Sequence, residues 1–513
     1  MKFIGFVLRN IIPISVLAVV GFLIYHASTP PTSGRIEGVG VDLLAAPPLT
    51  SEAVESTLTV LQQAGVDTVS IEVNWALVET TADVYNWSNV VPLDQFFTSA
   101  KSRGMNAVAV LTGYPLYLAS PGDFVDEAVL GKRWEAFVRA AVDHFGQQVD
   151  TWQIGDQVNT TLAARSLAGA DADLYAKMLR SASKIIRQSD ANDKVWMGSL
   201  VSATADHCAV NPMTFLLEIN AAKGWTSMDA LTYQPRRGAA LPEAVTTLNV
   251  NQACASSMTA NPASLSTEVG SIQELARQLG GKPVFITGLN WLHEELATLQ
   301  TGRTIDASTL HADLLVRGST MLQAGNGVPL VLWQIDPLYQ PGAMNDMRNI
   351  NSLAKNARAL GQVQGQSGSV QEYRFQKGAT LTLLAWRSQD GDAAQPAMFS
   401  NLAKSKITAF STDTGSLDPA LGVPIEVDAS GSAVVMLNER PVLISGKTGG
   451  WDEQLKALAK DQVDLWRLDL QEAIARGLNQ LKTLLLDWLE DLFNQAKDSA
   501  VDWGENKIRD LLN

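Results

Sequence analysis

From residue 36 onward the chain alternates short apolar runs with longer stretches in which apolar residues recur every three or four positions. The short runs lie at 38–42, 68–73, 107–111, 151–154, 195–199, 230–233, 284–287 and 329–333. Each has the length and β-branched content of a buried strand. The stretches between them read as amphipathic helices. One opens with Ser51 and runs to Gly65, and another ends at Phe145, just before Gly146. Strands and helices alternating in this way predict a (β/α)8 barrel over residues 36–362.

The period then changes. Gly, Gln and Ser dominate 360–369, and short alternating runs follow at 371–375, 381–386, 407–411, 425–428, 433–437 and 441–444. These predict a small antiparallel β-sandwich over 370–447. In the last segment, 448–513, Leu478, Leu481, Leu485, Trp488, Leu489, Leu492 and Phe493 fall on one helical face. Asp487, Glu490, Asp491 and Lys497 fall on the other. This amphipathic tail reads as a partner helix or a self-association element. Folding back onto the rest of the chain is the next reading. Lying on a membrane surface is the least favoured, because such helices carry Lys and Arg on the polar face and this one is acidic.

At the other end, Lys2 and Arg9 precede an apolar run from Ile11 to Tyr25. Its length approaches a membrane span, and the flanking positive charges place the N-terminus in the cytoplasm and the bulk outside. Residues 1–27 are therefore read as an uncleaved transmembrane anchor, with a cleavable signal peptide as the alternative. The anchor is preferred because Tyr25-His26-Ala27-Ser28 is a poor cleavage site. Residues 28–35, rich in Pro, Thr and Ser, form a linker.

A net charge of −14 argues against nucleic acid, which needs a basic stripe. Cys208 and Cys254 allow one disulfide or two free thiols. No His/Cys/carboxylate spacing points to a metal, no glycine loop points to a nucleotide, and no cofactor is expected.

The chemistry-bearing stretch is Trp152-Gln153-Ile154-Gly155-Asp156-Gln157-Val158-Asn159. It resembles the end of the fourth barrel strand in clan A glycoside hydrolases of the β-xylosidase and cellulase kind, which reads close to Trp-x-Ile-x-Asn-Glu-Pro-Asn. Other segments carry the same resemblance. They are Trp75-Ala76-Leu77-Val78-Glu79 followed by Val84-Tyr85-Asn86-Trp87, Tyr114-Pro115, Arg133 to Val138, and Asp229 to Pro235. The resemblance covers about residues 37–447 and implies a (β/α)8 barrel followed by a sandwich.

It also implies where the reacting groups should be, and there this chain departs. Gln157 stands at the acid/base position and has no titrating proton to transfer. In Phe285-Ile286-Thr287-Gly288-Leu289-Asn290-Trp291, Gly288 stands at the nucleophile's place. Asp156 replaces Asn, and Gln234 replaces His. Glu72, Glu79, Asp156, Asp336, Glu294 and Glu295 are the remaining acids near strand ends, and no spacing makes a pair of them. Trp75, Asp156, Gln157, Asn159, Tyr233 and Trp333 are the sugar-binding candidates, with Trp333 as a platform at strand eight. Tyr114, Tyr117, Trp291 and Tyr339 are further aromatics near strand ends.

The expectation is a membrane-anchored, extracytoplasmic, catalytically inactive glycosidase-like protein that serves as scaffold or subunit of a cell-envelope complex. Its contact elements would be the N-terminal helix and the 451–513 helices. Two alternatives stand beside it: a carbohydrate-binding protein using the aromatic cleft, and an active O-glycosyl hydrolase with non-standard carboxylates. Side chains such as Arg236, Arg237 or Met344 filling the cleft would favour the scaffold.

Overall fold

A computed structural model describes residues 36–447 except 45–48, 119–126, 161–167, 169, 203–209, 247–262, 364–368, 379, 389–393, 400–401, 403–406, 413–421 and 430. The expected anchor and linker (1–35), the helical tail (448–513), Cys208 and Cys254 all lie outside the described residues. Among the described residues no helix is long and apolar enough to cross a membrane.

Nine parallel strands form the first sheet. They are β1 Gly38–Asp42, β2 Thr68–Asn74, β3 Asn106–Thr112, β4 Thr151–Ile154, β5 Lys194–Met197, β6 Leu200–Val201, β7 Leu231–Gln234, β8 Val284–Leu289 and β9 Leu330–Gln334. Their order is β5–β4–β3–β2–β1–β9–β8–β7–β6. β5 and β6 are two parts of one strand, interrupted at Gly198 and Ser199, and they stand at opposite ends of that order. A parallel bridge between Trp196 and Ala230 joins those ends, so the sheet curls into a barrel of the TIM type. Only glycine fits at 198, where a Cβ would lie 2.3 Å from the Ile154 carbonyl oxygen. The eight expected strands are all present, with ends shifted by one or two residues.

Helices pack around the ring: α1 Ser51–Gln63, α2 Trp75–Val78, α3 Val91–Ser102, α4 Glu127–Phe145, α5 Ala172–Ser189, α6 Pro212–Ala221, α7 Leu265–Gln278, α8 His293–Gln300, α9 Ala307–Thr320 and α10 Pro341–Ala354. Their ends are capped as the local sequence dictates. The Asp171 side chain accepts from the Asp173 and Leu174 amides, and that of Asp306 from the Ser308 and Thr309 amides.

Strand alternation sorts the side chains. Val39, Val41, Trp152, Tyr233 and Trp333 join the outer core between sheet and helices. Val108, Val110, Trp196, Phe285, Leu330 and Leu332 form a separate apolar cluster inside the ring. One step further toward the C-terminal strand ends, the inward positions turn polar: Asp42, Thr232, Gln234, Thr287 and Gln334 are all buried there.

The second unit of sheet structure comprises β10 Arg358–Gln362, β11 Val370–Lys377, β12 Thr380–Arg387, β13 Gln395–Phe399, β14 Ile407–Ser411, β15 Val423–Ile425, β16 Ala433–Leu437 and β17 Val442–Lys447. A six-stranded antiparallel sheet runs β10–β11–β12–β17–β14–β15, and β13 pairs with β16. The boundary differs from the expected one. Residues 358–362 pair with β11 and belong to this sheet rather than to the barrel. β13 has no alternating signal, because Gln395 and Pro396 open it at an edge.

Candidate functional site

The site lies at the C-terminal ends of the barrel strands, where this fold places ligands. It is built as two strings of buried polar side chains. In the first, Asp42 at the end of β1 accepts from Ser70 Oγ at 2.7 Å, the Leu44 amide at 3.1 Å and Gln334 Nε2 at 3.0 Å. Gln334 Oε1 in turn accepts from Arg236 Nη2 at 3.4 Å. In the second, Asp156 accepts from Ser199 Oγ and from Gln234 Nε2, the latter at 2.7 Å. Gln234 Oε1 then accepts from Gln157 Nε2 at 3.2 Å. The first bond fixes the orientation of the Gln234 amide, and that fixes the Gln157 amide. Gln157 Oε1 is consequently left buried without a partner.

Asp42 has its pKa raised from 3.8 to about 6, first by burial and second by the nearby charge of Asp156. Sequence reasoning missed this carboxylate. Its only signal was position, a lone acid closing a barrel strand at the ligand end.

Gln157 sits in the left-handed region at φ 49°, an unusual backbone for a non-glycine residue. The Ser199 hydroxyl accepts from its amide at 3.1 Å, and its own carbonyl accepts from the Thr160 hydroxyl at 2.8 Å. Gly288 has φ 114°. A Cβ built there would lie 3.2 Å from Gln234 Cδ and Nε2. A side chain at 288 would therefore press on the Gln234 amide, which would have to give by a few tenths of an ångström. Arg236 reaches from the end of β7 past β8 to Gln334 on β9, across the same sector.

The expected aromatic platform is not formed by the three candidates. Trp333 points outward, donates to Ser319 Oγ of α9 at 2.6 Å and is fully covered. Alternation is the reason: Leu332 and Gln334 take the inward positions on β9, so Trp333 cannot. The same parity turns Tyr233 toward α7, where its hydroxyl meets Glu268. Trp75 stacks on Phe137 of α4 at 5.2 Å and donates to Glu79 at 2.6 Å. Trp291 is also buried and donates to the Ala240 carbonyl at 3.0 Å. Asn159 holds the chain after β6: it accepts from the Val201 amide at 2.9 Å and donates to the Val201 and Val210 carbonyls. Of the six candidates, only Asp156 and Gln157 meet at the site.

Among the substitute acids, Glu79 is buried and receives Trp75, the Asp83 amide and the Tyr117 hydroxyl. Glu72 follows Ser70 by two residues on β2, shares its inward parity and receives the Thr112 hydroxyl at 2.5 Å. His311 faces Asn290 at 2.8 Å, and burial lowers its pKa to about 4, so it is neutral at pH 7. Among the described residues no cluster of His, Cys, Asp and Glu could hold a metal ion.

No protein-family model matches this sequence, and no curated protein matches it. Solved structures do resemble the fold. A family 39 glycoside hydrolase from the gut symbiont Bacteroides cellulosilyticus WH2 superposes with TM-score 0.59 at 15% identity, covering 80% of this chain and 81% of that one. A GH30 endoxylanase from Clostridium papyrosolvens C71 gives 0.52 at 13%, covering 81% and 98%. A conserved exported protein from Bacteroides fragilis gives 0.53 at 10%, covering 81% and 98%. At these identities the likeness is one of fold: the chain has a glycoside hydrolase-like fold of the clan A kind.

Proposed function

We propose that this chain is a glycosidase-like protein that does not cleave glycosides and acts as a membrane-anchored, extracytoplasmic scaffold or subunit of a cell-envelope complex. The observation that carries the reading is the Gln234 amide lying in the space beside Gly288, bonded to Gln157. Retaining hydrolysis needs an attacking and a donating carboxyl about 5–5.5 Å apart. Here one position carries an amide and the other carries a second amide packed against a glycine. Arg236, reaching across to Gln334, supports the scaffold over an open cleft. Export is in keeping with the apolar run at 11–25 and with the description of the Bacteroides fragilis neighbour as an exported protein.

The test is hydrolysis of a panel of aryl glycosides by the full chain in mild detergent. No turnover is expected. Any turnover above the uncatalysed rate would sink the reading, and turnover that survives Gln157→Ala would put the reacting groups elsewhere. Anchoring is tested separately by carbonate extraction of membranes and by protease access from the outer side. Release by carbonate, or protection from external protease, would exclude the proposed topology.

A second reading is carbohydrate binding without chemistry. The buried, partnerless Gln157 Oε1 and Thr287 Oγ1 favour it, since both would accept or share a ligand hydroxyl. Calorimetric titration with xylo- and gluco-oligosaccharides decides it. Binding that Gln157→Leu abolishes would replace the scaffold reading of the cleft.

A further inference from the structure

We propose that the loop 236–246, which follows β7, is a latch that the β-sandwich holds shut at the barrel mouth. The loop carries Arg236 at its start, next to the Gln234 that packs against Gly288. Its far end is tied by Glu243. That carboxylate receives a two-pronged bond from Arg317 of α9, Nε at 2.8 Å and Nη2 at 2.7 Å. It also receives the indole N–H of Trp386, on β12 of the sandwich. Side-chain exposure is 1% for Arg317 and 8% for Glu243, so the bonds are shielded from water.

The Arg317 guanidinium lies 5.9 Å over the Trp386 ring, and Trp386 stacks on Tyr373 of β11 at 5.4 Å. Glu243 is thus gripped from one side by a barrel helix and from the other by Trp386 of the sandwich, itself backed by Tyr373. Within the loop, Arg237 closes the base. It pairs with Glu268 of α7 at 3.1 Å and donates to the Ala244 and Ala263 carbonyls at 2.6 and 3.1 Å. The Trp291 indole bonds the Ala240 carbonyl from beneath.

The consequence is mechanical. Arg236, whose amide donates to Ser202 Oγ at 2.7 Å, reaches across the mouth from the start of this loop, and one of the three bonds to Glu243 comes from the sandwich. Removing that bond leaves a buried carboxylate with an unmet acceptor position, a condition the loop relieves by moving outward into water. The sandwich therefore governs access to the polar upper half of the barrel. This rests on the geometry of the closed mouth and not on whether the barrel performs chemistry.

The test is amide hydrogen exchange on the full chain, comparing wild type with Trp386→Phe and with Glu243→Gln, which removes the charge paired with Arg317. Trp386→Phe deletes the donor and part of the buried ring while leaving one aromatic ring against Tyr373. Amides in 236–246 should exchange at least tenfold faster in either variant, while amides of β2 and β3 keep their wild-type rates. Arg303→Gln is the control: it breaks another barrel–sandwich pair, Arg303 to Glu439 at 2.9 Å, and leaves the three bonds to Glu243 in place. Unchanged loop exchange in both variants overturns the latch. So does acceleration spread evenly over the barrel, or equal loop opening in Arg303→Gln, because each would mean general loosening.

Discussion

At position 288 a single missing side chain decides what the mouth can hold. With φ at 114° the backbone suits glycine, and the Gln234 amide lies close beside it. Gly288→Ala should cost about 1–3 kcal/mol in denaturant unfolding, the usual range for a strained backbone position. Gln234→Ala in the same chain should recover only the steric part. No loss in Gly288→Ala would mean that the strand backbone at 288 is freely adaptable. Placing a carboxylate at 288 therefore needs Gln234 trimmed as well.

Asp42 makes a second prediction at this scale. Its carboxyl has a pKa of about 6 folded and 3.8 as the ordinary value, so the folded state holds the proton more tightly. The stabilisation is complete below pH 3.8 and is lost as pH rises through about 6. Two units correspond to about 3 kcal/mol. Asp193, also raised to about 6 by burial, adds in the same direction. Asp42→Asn should flatten the fall in unfolding free energy between pH 4 and 7. A slope identical to wild type would show that Asp42 is not the group responsible.

Among the elements, strand parity overruled residue type. Trp333 and Tyr233 look like sugar platforms as letters, yet alternation sends both to the helix side of the sheet. Trp333→Ala should lower unfolding free energy by about 3–5 kcal/mol, as a buried indole deletion does. It should leave any oligosaccharide affinity unaltered, read by calorimetry on the folded fraction. A selective loss of affinity at wild-type stability would restore the platform. Parity was available from the sequence, since Leu332 and Gln334 flank Trp333. What was missing was the choice of which face looks into the ring. The break between β5 and β6 was invisible for another reason: Gly198 is there because the Ile154 carbonyl approaches it, a contact with a strand 40-odd residues away.

Across the whole molecule, barrel and sandwich form one compact unit spanning Ile36–Gly449. Tyr373, Phe375, Leu384 and Trp386 of the sandwich belong to the barrel's outer core. Arg440 pairs with Asp313 of α9 at 3.0 Å, and Arg303 with Glu439. These pairs are largely buried, so they fix the geometry of the contact more than they add stability. Deleting 451–513 should leave the melting temperature of this unit within a few degrees of the full chain. A collapse of the melting transition would make the tail part of the core and remove it as a free contact element.

Legible along the chain were the order of the strands, the barrel followed by a sandwich, and the presence of Gln at 157 and Gly at 288. Those features follow from local periodicity and residue identity, which one stretch of chain carries alone. The tertiary structure alone decided that Gln234 packs against Gly288, that Asp42 joins Asp156 at the mouth, that the aromatics face away, and that Trp386 reaches Glu243. Each of these depends on which strands and helices end up adjacent and which way they face. Such relations arise only when the ring closes and the sandwich docks.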